Sequence, residues 1–163
     1  MTDFETFHEV VRLHADYAAV VDSHDWDRWP GFFLETCTYR VQPRENHDQG
    51  LPLATLSFES RGMLMDRIYG IRDTLFHDPY YQRHVIGLPA VTRVSGAPGK
   101  ADEVLHVETN YAVFRTKPDQ LSEVFNVGRY LDILHRTPDG LKFASRICVF
   151  DSEMIPNSLI YPI

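Results

Sequence analysis

Hydrophobic and polar positions divide this chain into a helical front and a strand-rich back. Phe4, Phe7, Val11, Ala18 and Val21 recur at helical spacing, with Val10, Leu13, Tyr17 and Val20 widening the stripe. Thr2 followed by Glu5 matches a capping box, so the helix is predicted to begin at once, and the polar Ser23-His24-Asp25 ends it. DWDRWPGFF then predicts a short second helix or turn, with Asp25 as its cap and Pro30 limiting its length.

From Cys37 the period changes. CTYRVQP alternates like a strand and stops at Pro43, RENHDQGLP reads as a polar loop, and LATLSFES resumes the alternation. Residues 61 to 76 return to helical spacing through Leu64, Ile68, Ile71 and Leu75, with Gly70 as a weak point inside the run. Beyond Pro79 the pattern is mostly strands: YYQRHVIG, PAVTRVSG, then the long runs VLHVETNYAVFRT, EVFNVGRYLDILHRT and GLKFASRICVFDS. The turns SGAPGK, KPDQ and PDG separate them, and PDG between alternating runs is a hairpin signal. Helices at the front and a meander at the back predict one α+β domain over residues 1–163. Its expected form is a curved antiparallel sheet wrapped around the long N-terminal helix as a cone.

Composition narrows the function. The 163 residues are 44% hydrophobic and 24% charged, an ordinary globular balance. Sixteen basic against twenty-three acidic residues leave a formal charge of −7, which argues against nucleic acid or an anionic membrane as partner. No apolar run approaches the roughly 18 residues that span a bilayer, and MTDFETFHEV has neither a basic leader nor an apolar stretch. Cys37 and Cys148 stand far apart without CxxC spacing, so the expected location is the cytoplasm, without a disulfide framework.

HDPYYQRHVIG, residues 77 to 87, raises the question of metal, because two histidines and a carboxylate are a common grip on non-haem iron. Adjacent extended residues point to opposite sides, so His77 and Asp78 do not face one ion, and His84 lies seven residues further on. An iron–sulfur centre of Rieske type needs two cysteines and two histidines, and neither ETCTY nor ICVFD has a histidine close by in sequence. A second reading places His84, His106, Tyr111, Asp132 and Arg146 inside the cone as the active site of an isomerase, dehydratase or cyclase. A third is a binding surface, because Trp, Tyr and Arg recur together in WDRW, YYQR, RY and the apolar tail SEMIPNSLIYPI. That tail is expected to pack on its own sheet or on a neighbouring subunit.

DWDRWPGFFLETCTYRVQPREN (25 to 46), DPYYQRHVIGLP (78 to 89), FNVGRYLD (125 to 132) and RICVFDSEMIPNSLIYPI (146 to 163) resemble the small, or beta, subunits of aromatic-ring-hydroxylating oxygenases. Within that family the chain is most similar to the small subunits that serve salicylate 5-hydroxylation, with those of terephthalate, anthranilate and benzoate dioxygenases as relatives. The resemblance implies the cone fold shared with ketosteroid isomerase and scytalone dehydratase. It also implies a structural role with no catalytic residue or metal in this chain. The Rieske cluster and mononuclear iron would belong to a large alpha subunit, in an α3β3 assembly served by a ferredoxin and a reductase. On that reading Trp29, Arg83, His84, Arg129, Asp132 and Tyr161 are the expected subunit contacts.

Overall fold

The computed structural model describes residues 2–155 and 159–163. Helix α1 (Phe4–Asp22) leads into a single 3-10 turn at Trp29–Phe32 and then strand β1 (Phe33–Pro43). Short α2 (Arg44–Asp48), β2 (Leu56–Phe58) and α3 (Arg61–Tyr69) follow, and α3 loosens into a π turn at Gly70–Thr74. The back of the chain is β3 (Tyr81–Ile86), β4 (Ala90–Ser95), β5 (Val104–Thr116), β6 (Glu123–Thr137) and β7 (Gly140–Phe150). The strand order is β2-β1-β7-β6-β5-β3, with β4 also paired to β5. Every pairing is antiparallel except β1 with β7, which run parallel. The architecture is α+β: an open curved sheet with the N-terminal helix packed on its inner face.

Several local expectations shift. The α1 cap is Asp3, whose carboxylate accepts the Thr6 N–H at 2.9 Å. Thr2 instead donates its hydroxyl to the Val91 carbonyl. The buried edge of α1 carries Thr6, Val10, His14, Tyr17, Val20 and Val21, while Phe4 is exposed and Phe7, Val11 and Ala18 are half-buried. Val10, Tyr17, Val20 and Val21 of the expected stripe are thus in the core, and polar His14 joins them with a partner in the sheet. Arg28, not Asp25, caps the 3-10 turn, without a side-chain hydrogen bond, and the Asp25 carbonyl accepts the Arg28 N–H in the turn before it. Part of the polar loop after Pro43 is helical, and the helix over 61–76 changes character at Gly70.

Alternation places one face of each long strand in the core, as in β5, where Leu105, Val107, Thr109, Tyr111, Val113 and Arg115 are buried. Register shifts at Val113/Phe114 and at Ile133/Leu134 insert extra residues, which bend the strands and increase local twist. At Gly128 a Cβ would lie 1.9 Å from the Val149 carbonyl oxygen, so the backbones of β6 and β7 approach as only glycine allows. Gly128→Ala is therefore expected to destabilise the fold by about 1–3 kcal/mol through overpacking. Urea unfolding measures it, and a midpoint unchanged from the parent would contradict that packing.

The core joins α1 to the sheet through Tyr17, Trp29, Phe33, Tyr39, Tyr130 and Phe143. Leu159, Tyr161 and Ile163 of the tail are buried in the same cluster, so the tail packs on its own sheet. Pro156, one of the two tail prolines, lies outside the described residues.

Candidate functional site

Three polar constellations occupy the inside of the cone. The deepest begins on the inward edge of α1, where His14 meets Asp132 of β6 and Arg146 of β7. Asp132 and Arg146 are cross-strand partners, so their side chains share the inner face. Arg146 grips the carboxylate with two hydrogen bonds, Nε to Oδ1 at 2.9 Å and Nη2 to Oδ2 at 2.7 Å. His14 Nε2 lies 3.1 Å from the same Oδ2. The guanidinium is covered by the rings of Tyr17, Tyr130 and Phe143, whose centroids lie 4.3, 4.0 and 4.1 Å away.

Charge fixes the protonation of this group. Burial works against ionised Asp132, yet Arg146 and the His14 hydrogen bond hold its carboxyl below the ordinary range. Asp132 in turn holds Arg146 charged despite its own burial. For His14, burial outweighs the pull of Asp132, and Arg146 adds repulsion, so the imidazole pKa is lowered and the ring is neutral at pH 7. A neutral ring facing a carboxylate donates, which places its proton on Nε2.

The second constellation ties α1 to β3. Asp22, the last residue of the helix, accepts the His84 backbone N–H at 2.9 Å and pairs with His84 Nδ1 at 2.6 Å. One carboxylate thereby satisfies a free amide of an edge strand and orients its ring. The opening between α1 and the β3–β4 turn encloses about 250 Å³. His14 and His84 stand in its wall, each committed to an aspartate.

The third constellation receives the tail. Tyr17 and Tyr39 both donate their hydroxyls to the Ile163 carbonyl at 2.9 Å. Tyr39 accepts the Ile163 N–H, and Tyr17 accepts from Trp29 Nε1 at 3.1 Å. Gln82 donates to the Pro162 carbonyl, and Arg67 to those of Leu159 and Ile160. Tyr161 stacks with Trp26 and meets Tyr80, and its hydroxyl shares a hydrogen bond with His77 Nε2 at 2.9 Å.

Four of the six residues expected at a subunit boundary therefore lie inside the chain. Trp29, His84, Asp132 and Tyr161 are buried by their own fold and make the internal bonds just described. Of the other two, Arg83 is exposed on β3, and Arg129 is half-buried with Nη1 3.0 Å from Glu108 Oε1. Of the residues considered for a cone interior, His84, Tyr111, Asp132 and Arg146 face inward, whereas His106 faces out. His14 and Asp22, absent from those expectations, complete the two histidine–aspartate pairs. A histidine in the middle of an apolar helical stripe was the only trace of the first pair in the sequence.

The residues of the 77 to 87 stretch do not converge: His77 turns to Tyr161, Asp78 is exposed, and His84 turns to Asp22. Among the described residues no three His, Cys, Asp or Glu side chains gather as a metal site requires. The donor chemistry also does not fit an iron–sulfur cluster. Burial pushes the Cys148 thiol up to about 12, beside the Ile163 carbonyl, and raises Cys37 as well, whereas cluster ligands are thiolates.

Comparison with known proteins decides what this cone is. The profile described as "Ring hydroxylating beta subunit" matches residues 17–157. The chain belongs to the ring-hydroxylating beta-subunit family. It is 32% identical over 162 residues to the anthranilate 1,2-dioxygenase small subunit of Burkholderia cepacia, covering 99% of this chain and 96% of that one. It is 31% identical over 155 residues to subunit beta 1 of the terephthalate 1,2-dioxygenase terminal oxygenase component of a Comamonas species, covering 95% and 97%. A crystal structure of a beta subunit assigned to an aromatic-ring-hydroxylating dioxygenase of Novosphingobium aromaticivorans superposes with a TM-score of 0.85 at 31% identity, covering 97% of each chain. A naphthalene 1,2-dioxygenase chain shares the fold at a TM-score of 0.79 and 15% identity, covering 99% of this chain and 87% of that one. This beta subunit is thus a component of a ring-hydroxylating oxidoreductase, and its family implies a large alpha subunit as partner. Among its described residues no helix is long and apolar enough to cross a membrane.

Proposed function

We propose that this beta subunit is the non-catalytic support of a cytoplasmic, multicomponent Rieske-type oxygenase that acts on an aromatic acid such as salicylate. The large subunit carries the Rieske cluster and the mononuclear iron in this reading. The two chains assemble as α3β3, and a ferredoxin and a reductase deliver electrons from a nicotinamide cofactor. The aromatic-acid class is supported by the named substrates of two relatives, anthranilate and terephthalate, which are both aromatic carboxylates.

One observation carries the structural role: both carboxylates of the histidine–aspartate pairs, Asp22 and Asp132, are taken up by His84, His14 and Arg146, while His14 Nδ1, His84 Nε2, Tyr130 Oη and Arg146 Nη1 have no hydrogen-bond partner among the described residues. An acid or base that works on substrate must be free to exchange a proton with it. Asp132 is instead saturated by Arg146 and His14. A stand-alone isomerase, dehydratase or cyclase is not favoured, because its candidate groups serve as internal cross-links.

Co-expression with the large subunit and assay of oxygen-dependent ring hydroxylation on salicylate, anthranilate, terephthalate and benzoate tests the substrate class. Turnover of at least one of these acids is expected. Turnover restricted to arenes without a carboxylate would overturn the assignment, and both salicylate and the number of oxygen atoms inserted are read from the products.

A further inference from the structure

Residues 159–163 sit in the cone as a bound peptide does. Leu159, Tyr161, Pro162 and Ile163 are buried, yet among the described residues no backbone group of this segment bonds to another backbone group. Side chains of the body make those bonds instead. Arg67 of α3 donates to the Leu159 carbonyl at 2.9 Å and to the Ile160 carbonyl at 2.7 Å. Gln82 of β3 donates to the Pro162 carbonyl at 3.1 Å, and the Tyr161 N–H donates to the Tyr80 hydroxyl at 3.4 Å. Tyr39 of β1 closes on both sides of Ile163, accepting its N–H and donating to its carbonyl, each at 2.9 Å. Tyr17 of α1 donates to the same carbonyl. A strand of the sheet is tied to its neighbours through backbone bonds. A segment read by side chains from four surrounding elements is held as a recognition site holds an extended ligand.

We infer that the inner cleft lined by Tyr17, Tyr39, Arg67, Tyr80 and Gln82 is a peptide-recognition site. Its ligand is the chain's own Leu-Ile-Tyr-Pro-Ile segment, residues 159–163, which it holds without need of the covalent tie. Residues 152–154, on the way out of β7, are exposed, Met154 at 82%. This connection therefore contributes mainly effective concentration. Selectivity comes from the aromatic surroundings of Tyr161, whose ring stacks on Trp26 at 5.3 Å and meets Tyr80 at 4.5 Å while its hydroxyl reaches His77. Pro162 fixes its own φ and so reduces the freedom lost when the segment enters. Occupied in cis, the cleft admits the same sequence in trans only once the resident copy is released. This recognition is a property of the isolated chain and does not depend on a large subunit.

The test inserts the recognition sequence of a site-specific protease after Met154 in the full chain. The folded protein is cut, passed over gel filtration at micromolar concentration, and challenged with a labelled peptide of residues 155–163. The cut tail is expected to co-elute with the body, and near-ultraviolet circular dichroism to keep its native form. The labelled peptide should then exchange in with a dissociation constant on the order of micromolar or tighter. Uncut protein should not take it up. In cut Tyr39→Phe, which lacks both bonds to Ile163, the peptide should bind about tenfold more weakly. Cut Arg12→Glu, altered at an exposed position of α1, should bind it as the wild type does. Loss of the tail from the cut wild type on gel filtration would overturn the site. So would a retained tail that the peptide never replaces, which marks trapped core, or uptake by uncut protein, which places binding elsewhere. Equal affinities for wild type and Tyr39→Phe would show that apolar burial alone holds the segment, and the side-chain recognition would fail. A loss with Arg12→Glu equal to that with Tyr39→Phe would remove its specificity.

Discussion

Asp132→Ala is expected to lower folding stability by about 3–5 kcal/mol, the usual consequence of removing one partner from a buried ion pair. Arg146 is fully buried between three aromatic rings and would keep its charge without a counter-ion, while His14 would lose its hydrogen bond to the sheet. Asp132→Asn should be milder, because the amide oxygen still accepts from Arg146, although the ionic attraction is gone. Urea unfolding of the purified chain measures both. Equal midpoints for wild type and Asp132→Ala would mean that the cluster contributes nothing to the fold.

The same cluster sets a pH dependence. Burial lowers the His14 pKa in the folded chain below its ordinary 6.5. Below about pH 6.5 the unfolded chain therefore binds a proton that the folded chain resists. Stability is full above that pH and declines as the pH falls toward the folded value. His24, also held down by burial, adds to the decline in the same window. Asp132, whose folded pKa lies below its ordinary 3.8, adds a further loss at more acid pH. A wild-type stability flat between pH 7 and pH 5, measured at constant salt, would contradict a buried neutral His14.

Deletion of residues 159–163 is expected to have the other large effect. Leu159, Tyr161 and Ile163 are buried, and each apolar side chain of this size contributes about 1.5–3 kcal/mol by leaving water. The deletion also strips Tyr17, Tyr39, Gln82 and Arg67 of their carbonyl partners inside the protein. A loss of more than about 5 kcal/mol follows, enough to unfold a domain at the lower end of ordinary stability. Near-ultraviolet circular dichroism, which reports Tyr17, Trp26 and Trp29, should lose its signal in the truncated chain. Tyr39→Phe is the gentler form of the same experiment: it removes both bonds to Ile163 and keeps the ring, with a loss of about 1–3 kcal/mol. A truncated chain with native spectra and an unchanged melting temperature would show that the tail is not part of the core.

How far the sequence reached depends on the range of the interaction. β5, β6 and β7 could be read directly, because alternation, regular through β5 and broken only locally in β6 and β7, and the turns around Asp119 and Gly140 mark them. The existence of α1 was equally local. Its buried edge was legible in Val10, Tyr17, Val20 and Val21, but the place of His14 within it was not, because its partner lies 118 positions away. The parallel pairing of β1 with β7 joins the front of the chain to its end, and no periodicity records it. Residue type is what marks the six expected contacts in the sequence, and type does not separate a hot spot from an internal cross-link. Trp29, Asp132 and Tyr161 are large or charged groups that the fold uses internally, whereas Arg83 stays outside because β3 alternates and His84 takes the inward position. Asp22 ends a helix and would pass as an ordinary surface acid. Only the approach of β3 gives it two donors.

The central claim is that this chain supports a redox partner without holding redox iron itself. Iron quantified per chain on the isolated, correctly folded protein after expression in iron-replete medium tests it most directly. The account expects far less than one iron per chain, with a colourless solution and no oxygen consumption on aromatic acids. Stoichiometric iron bound to the isolated chain, retained on gel filtration, would contradict it.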